Sequence, residues 1–168
     1  QTVSRLVSSE NLPVIWNTPN GFPVFMAYFD MESKRIKTKM GDSTIKLTVN
    51  TETKKIAKRR VASAISPNYI HSLDANMLQD AVVIASKNGI QSISTVHDCF
   101  SVLCSDAITM HNAIREAFVS MYSRPVLENF KEQIENLLSD KNKSKIPPLP
   151  EYGNLDLEQV RDSLFFCS

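Results

Sequence analysis

The sequence predicts an α+β fold, and three patterns carry that expectation. Residues 22–49 read as apolar or alternating runs broken by Gly41-Asp42, as antiparallel strands do. Residues 90–104 hold two further alternating runs on either side of His97-Asp98, the pattern of a hairpin. Segments with helical spacing lie between and beyond them, over 50–87 and 107–137. A chain of 168 residues suits one domain, large enough to bury roughly 70% of its unfolded surface. With 42% hydrophobic and 22% charged residues, the composition excludes wholesale disorder and collagen-like or disulfide-rich classes. No run approaches the ~18 apolar residues of a membrane span. The N-terminus lacks a signal-peptide pattern, so secretion is not expected. It opens Gln1-Thr2-Val3 without a Met, as a fragment or processed piece would.

Element by element, residues 1–21 show little periodicity and contain the turn-rich Trp16-Asn17-Thr18-Pro19-Asn20-Gly21. Phe22 to Phe29 reads as a strand entered through Pro23. Ser33 to Met40 and Ser43 to Val49 read as strands joined at Gly41-Asp42, with Ile45, Leu47 and Val49 on one face. Asn50 or Thr51 can cap a helix that carries Lys54, Lys55, Ile56, Lys58, Arg59 and Val61 and ends before Pro67. A second helix starts near Ser72 or Asp74, runs to Lys87 with Leu78, Val82 and Ala85 on one face, and stops at Asn88-Gly89. Strands follow over Ile90–Val96 and Phe100–Cys104, which puts His97-Asp98 at or beside a hairpin tip. A helix over about Ala107–Tyr122 aligns Ile108, Ala113 or Ile114, Ala117 and Met121. Another follows Pro125, with Val126, Leu127, Phe130, Ile134 and Leu137 inward. Lys141–Lys145 reads as a basic linker, Ile146–Pro150 as an extended stretch, and Leu155–Leu164 as a short final helix.

The near-neutral total hides a division. Residues 31–60 hold ten Lys/Arg against three Asp/Glu, a net of +7, while the remainder holds nine against fifteen, a net of −6. A solvated strand and helix face would account for such a run. A phosphate-tracking surface would too, since Lys and Arg gain affinity by releasing counterions. Within it Lys54, Lys55, Lys58, Arg59 and Arg60 are the candidate nucleic-acid contacts.

Chemistry-bearing residues are few. Of the three histidines, His111 reads as a surface residue on a helix. An Asp at a turn between two hydrophobic strands is exposed yet rigidly held, which suits a divalent-metal ligand, and Asp98 has that setting. Such an Asp also serves simply as a turn former. Metal-binding phosphohydrolase and Ser-His-Asp readings fail for want of further histidines and of a Gly-x-Ser-x-Gly turn. With four glycines and no Gly-x-Gly, phosphates must be met by side chains and metal. In Pro67-Asn68-Tyr69-Ile70-His71-Ser72-Leu73-Asp74, four polar groups gather about one histidine, as a binding site would require. The same Ser72 or Asp74 could instead be an N-cap, and Asn68 a turn former. Cys99, Cys104 and Cys167, odd in number and without Cys-x-x-Cys spacing, read as buried or inert thiols of a reducing compartment.

Taken together, Trp16 to Val24, Pro67 to Asp74 and Val96-His97-Asp98-Cys99-Phe100 resemble the C-terminal part of the single-subunit RNA polymerases of bacteriophages and mitochondria. Pro148-Leu149-Pro150, Gly153 to Leu157 and the aromatic ending Ser163-Leu164-Phe165-Phe166-Cys167-Ser168 resemble that family's tail, in the family's order. The resemblance implies one C-terminal polymerase domain over 1–168. Within it lie a basic β-rich segment and helix (1–66), the Pro-Asn-x-x-His-Ser helix with the hairpin (67–106), and a helical region with the tail (107–168).

It further implies a palm-type antiparallel hairpin whose Asp98 is a catalytic metal ligand and whose His97 supports it. His71 would lie against the minor groove of the nucleic acid, supported by Asn68, Ser72 and Asp74. Two-metal nucleotidyl transfer with Mg2+ is implied, on a DNA template, an RNA product and nucleoside triphosphates. Cys99 and Ser101 stand where phage members commonly have Ser and Gly. The family's other catalytic Asp motif and its nucleotide-binding helix find no match here, so the remaining N-terminal part of the polymerase is an expected partner and the chain alone is expected to be inactive. The implied location is the cytoplasm of a phage-infected host or the mitochondrial matrix. A family A DNA polymerase palm is the enzymatic alternative, although Cys99 stands where that family has Glu. A non-catalytic nucleic-acid-binding module is the other.

Overall fold

The computed structural model describes residues 1–163, 165 and 166. Its N-terminal residues form helix α1 (Thr2–Ser9), where the sequence shows little periodicity. Two of the three buried residues of α1 are serines, which read as polar. Ser4 and Ser8 are nonetheless buried beside Val7, because Ser8 Oγ donates to the Ser4 carbonyl at 2.6 Å and Ser4 Oγ to that of Gln1 at 2.9 Å.

Strand β1 (Val14–Asn17) pairs antiparallel with β2 (Pro23–Met26), shorter than the expected Phe22–Phe29 run. Strands β3 (Phe29–Met40) and β4 (Ser43–Ile56) make a long hairpin that turns at Gly41-Asp42 with Gly41 at φ +63°. The helix expected from Asn50 or Thr51 is therefore displaced: 50–56 continue the strand. Asn50 spends its side chain across the ladder, accepting from Ser33 Oγ at 2.6 Å, and caps nothing. Ile56 ends the strand in the core at 3% exposure.

Helix α2 (Lys58–Lys87) is one 30-residue element where two were expected, and it carries Pro67 inside. The division expected at residue 66 falls within it. A proline there leaves the carbonyl four residues back, on Ser63, without its helical donor. Ser63, Ser66 and Pro67 all lie on the exposed face, where water supplies that partner. The helix ends as expected, with Gly89 at φ +95° and the Ile90 N–H donating to the Ala85 carbonyl at 3.1 Å.

Beyond α2, β5 (Ile93–Val96) and β6 (Cys99–Val102) form the third two-stranded sheet, each shorter than expected. A 3-10 turn at Cys104–Asp106 leads into α3 (Ala107–Tyr122), followed by α4 (Val126–Leu137) after Pro125. On α3 the buried stripe is Met110, Ala113, Ala117 and Met121, while Ile108 is 77% exposed and not inward. On α4 Ile134 is buried, but Leu127, in the first turn, is exposed. The basic Lys141–Lys145 stretch is not a plain linker, since it contributes to the short α5 (Asp140–Lys143). The last helix contracts to α6 (Gln159–Asp162). Of the expected aromatic tail, Leu164, Cys167 and Ser168 lie outside the described residues. Phe166 packs on Phe118 at 4.9 Å between ring centroids, and Arg115, only 8% exposed, donates to the Arg161 and Ser163 carbonyls.

Two apolar clusters form the core. The larger gathers Val7, Val14, Trp16, Met26, Ile56, Val61, Ile65, Tyr69, Leu73, Met121 and Ile134. The smaller joins Ala81, Ala85 and Ile90 to Met110, Ala113 and Ala117, with Ile93, Phe100 and Val102 against it. Both include one side of α2, and Met77 packs against both. In the larger cluster the Tyr69 and Phe130 rings lie 4.3 Å apart, and Tyr69 Oη donates to the Val126 carbonyl at 3.1 Å.

Burial, with smaller contributions from Tyr122 and Glu128, pushes the Tyr69 phenol up to about 12 from an ordinary value of 10.0. Because the folded state raises this value, the phenol's contribution to stability is intact below its ordinary value. It is lost as pH rises through about 12. Urea unfolding across this alkaline range is expected to show a steeper loss of stability in the wild type than in Tyr69→Phe. At neutral pH the variant is expected to be less stable by about 1 kcal/mol, the net worth of the lost hydrogen bond.

Candidate functional site

The hairpin register fixes the setting of His97 and Asp98. Val96 pairs with Cys99, which leaves these two residues as a two-residue turn, as the sequence predicts. His97 sits in the left-handed region at φ +54°, where histidine is among the few non-glycine residues found with any frequency. Side-chain alternation puts Ile93, Thr95, Phe100 and Val102 on the face toward the small core, and Val96 and Cys99 on the outer face. Asp98 is therefore exposed on a short ladder whose inner face is anchored by apolar packing. Cys99 and Cys104 are exposed free thiols, not buried ones, and Cys104 lies in the 3-10 turn after the strand. Cys99 Sγ is 3.7 Å from Asp98 Oδ1. Cys167 lies outside the described residues. As a donor set, a lone exposed carboxylate offers one hard oxygen site suited to a cation such as Mg2+. Among the described residues no group of three or more His, Cys, Asp or Glu converges as a metal site.

The second group lies mid-helix, not at a helix start. Ser72 and Asp74 are interior to α2 and cap nothing. Ser72 is buried, donates to the Tyr69 carbonyl at 2.7 Å and accepts the Trp16 indole N–H at 3.0 Å. Asn68 is half-buried and donates to Met26 Sδ at 3.0 Å and Tyr28 Oη at 3.2 Å. Asn68, His71 and Ser72 all line one cleft of about 390 Å3 between α2 and the β1–β2 hairpin. His71 is exposed at the cleft, with its Nδ1 3.9 Å from the exposed Asp74 carboxylate, which does not line the cleft itself.

The sequence reading missed the other wall of that cleft. Tyr28 stands over it with the Arg60 guanidinium 5.0 Å from its ring centroid. Asn76, 1% exposed, accepts the Asn20 N–H at 2.9 Å and donates to Asp80 at 2.9 Å. Asn76 lies within the expected helix one turn beyond Ser72, so a polar residue on the inner face of a helix was the available signal.

The basic candidates gather at the foot of the long hairpin. Lys54, Lys55, Lys58, Arg59 and Arg60 are all exposed. All but Lys54 line an open cleft of about 650 Å3 with Ser8, Ser9, Asn11 and Asp30. None of the five pairs with a carboxylate among the described residues. Farther out, the ladder puts Arg35, Lys37, Lys39 and Lys46 on one face and Ile36, Ile45, Leu47 and Val49 on the other.

Comparison with known proteins adds one family match and three relatives. A family model described as DNA-dependent RNA polymerase matches residues 1–146. DNA-directed RNA polymerase 1, mitochondrial, of Arabidopsis thaliana is 36% identical over 163 residues, covering 97% of this chain and 16% of that protein. DNA-directed RNA polymerase 2, chloroplastic/mitochondrial, of the same plant is 37% identical over 97% of this chain and 15% of its own length. DNA-directed RNA polymerase 1A of Nicotiana tabacum is 35% identical over 161 residues, with 96% of this chain and 99% of that protein covered. The chain thus spans only about a sixth of the Arabidopsis relatives.

The Trp16–Ser72 bond gives the first site prediction. Ser72→Ala leaves the buried indole N–H without an acceptor, a loss worth about 1–3 kcal/mol. Urea unfolding followed by the fluorescence of Trp16, the single tryptophan, is expected to show a lower midpoint with an unchanged slope.

Proposed function

This chain belongs to the DNA-dependent RNA polymerase family, of the single-subunit phage and mitochondrial type, and we propose on that premise that it supplies one metal-binding carboxylate and a nucleic-acid face to DNA-templated RNA synthesis. The observation that carries the reading is Asp98 at an exposed two-residue hairpin tip, held by a ladder packed on the core. It is supported by the basic cluster at the foot of the long hairpin.

Asp98 acts as an oxygen ligand for Mg2+, and His97 sets the turn that presents it. When bound, the two ions stabilise the charge that develops on the attacking and leaving oxygens during nucleotidyl transfer. Since one carboxylate does not complete a two-ion site, the second Asp comes from the remaining part of the polymerase. The palm assignment of the β5–β6 hairpin follows from this role. His71 meets the minor groove of the nucleic acid, with Asn68 and Ser72 fixing the helix beneath it and Asp74 beside the imidazole. Lys54, Lys55, Lys58, Arg59 and Arg60 meet backbone phosphates of the DNA template or RNA product, and nucleoside triphosphates are the substrates. A chain with no helix long and apolar enough to cross a membrane among its described residues, and with relatives named mitochondrial and chloroplastic, fits an organellar enzyme.

Asp98→Asn in the polymerase that contains this chain is expected to abolish nucleotide incorporation while leaving nucleic-acid affinity within about twofold. Retained incorporation would sink the catalytic assignment and favour a binding module. Replacing Lys58 with Ala is expected to weaken binding about equally for all sequences and to reduce the salt slope of log K by about 1. Titration of affinity against salt concentration measures that slope.

A further inference from the structure

One aromatic ring in the cleft beside α2 has no part in the core. Phe22 lines it while remaining 57% exposed, whereas Phe25, paired with Ile15, falls on the outer face of β2. Below it, Ser72 and Asn76 are committed to internal hydrogen bonds, and Gln79 accepts from Asn20 Nδ2 at 2.7 Å. Asn68 uses its amide N–H groups on Met26 and Tyr28, which leaves its Oδ1 as an acceptor, and the exposed His71 ring adds a second hydrogen-bonding edge. Among the described residues no Asp, Glu, Lys or Arg lines the cleft, but Arg60 lies over the Tyr28 ring on its wall.

We propose that this cleft takes one unstacked nucleobase of a single nucleic-acid strand. Phe22 supplies the stacking surface, Asn68 and His71 the groups that meet the base edge, and Arg60 a cation for a flanking phosphate. Aromatic surfaces favour any base, because every base has a π-face, and their worth is about 1–3 kcal/mol per base. A volume of about 390 Å3 falls within the range of small-ligand sites, roughly 300–1,000 Å3. Charge complementarity favours a nucleotide over a basic or apolar peptide: Arg60 stands at the cleft wall, and the adjoining 31–60 segment carries a net of +7. The proposal rests on the nucleic-acid reading above and adds to it a place for a base outside any duplex.

The test uses oligouridine and oligothymidine strands, each carrying one 2-aminopurine, and matched strands with an abasic position instead. Binding to this chain is expected to quench the 2-aminopurine. The variant Phe22→Ala is expected to lose the quenching and to bind the base-bearing strand at least about fivefold more weakly, with affinity for the abasic strand unchanged. The ring is exposed, and an unchanged urea midpoint confirms that the variant folds. Lys58→Ala should weaken base-bearing and abasic strands alike. If the aromatic variant affects both strands equally, or neither, the cleft proposal falls while the nucleic-acid reading stands. If the wild type binds no strand at all, both fall. Quenching by this chain that disappears in the polymerase containing it would mean that a polymerase segment fills the cleft, and would also overturn the proposal. The RNA and DNA arms identify which strand supplies the base.

Discussion

An indole N–H cannot be left without an acceptor in an apolar core, and much of this structure follows from how that of Trp16 is satisfied. Its partner, Ser72 Oγ, lies 56 residues later on the inner face of α2, so the bond ties the β1–β2 hairpin to the middle of the long helix. The indole also packs against Tyr69 at 6.2 Å and Phe130 at 5.9 Å between centroids, which brings α4 into the same contact. Edge-on aromatic pairs of this kind add directional preference to burial. Two flanking ties stop the hairpin from pivoting about the bond: Asn20 N–H to Asn76 on one side and Asn17 N–H to Gln133 at 2.6 Å on the other. The cleft beside α2 exists because these ties hold its two walls at a fixed separation.

The other constraint is the continuity of α2. At about 1.5 Å per residue its 30 residues span roughly 45 Å. Three features are distributed along that rod: basic residues in its first turn, Asn68, His71 and Ser72 along the cleft in its middle, and the support for the β5–β6 hairpin in its last turns, through Ala81 and Ala85. Pro67 is tolerated because the carbonyl it orphans faces water. Had the same proline fallen on the face of Ile65 or Tyr69, the orphaned group would have been buried and the helix would have broken, as local rules anticipate.

Legibility of the sequence tracked how local the deciding interaction was. The turn at His97-Asp98, the stop at Asn88-Gly89 and the span of α3 were readable, since each depends on residues within a few positions of one another. Residues 50–56 were misread as helix because their strand partners lie some twenty residues earlier, and cross-strand pairing outweighs a plausible N-cap. The merged α2 was missed for a related reason: only the tertiary setting reveals which face Pro67 occupies. Helix α1 escaped because buried serines bonded to their own backbone look polar in sequence. As for the candidate site, Asn68, His71 and Ser72 were identified together, yet Tyr28, Phe22 and Asn76 were not. Tyr28 and Phe22 come from a segment whose proximity no spacing rule encodes, whereas Asn76 stands one turn beyond Ser72 on the same helix.

On the proposed reading of Asp98 as a metal ligand, the hairpin tip has a physical rationale. A left-handed residue outside glycine costs roughly 1–2 kcal/mol, and His97 at φ +54° bears that cost in exchange for a turn with no slack residues. Position is gained at the expense of local stability, which matters for a ligand whose geometry must be held within about 0.5 Å. A second carboxylate placed beside Asp98 in this same chain would have added like-charge repulsion whenever the metal was absent, raising one of the two pKa values and weakening the hairpin. If the second ligand instead comes from another part of the polymerase, that repulsion arises only as the parts meet, where a cation can bridge them. Cation binding would then stabilise the joined state over the separated one by linkage. The exposed Val96 and Leu103, at 64% and 61%, lie in the same hairpin and the turn that follows it. They are apolar surface that such a joining could cover, so the same contact that completes the ion site would complete the packing around it.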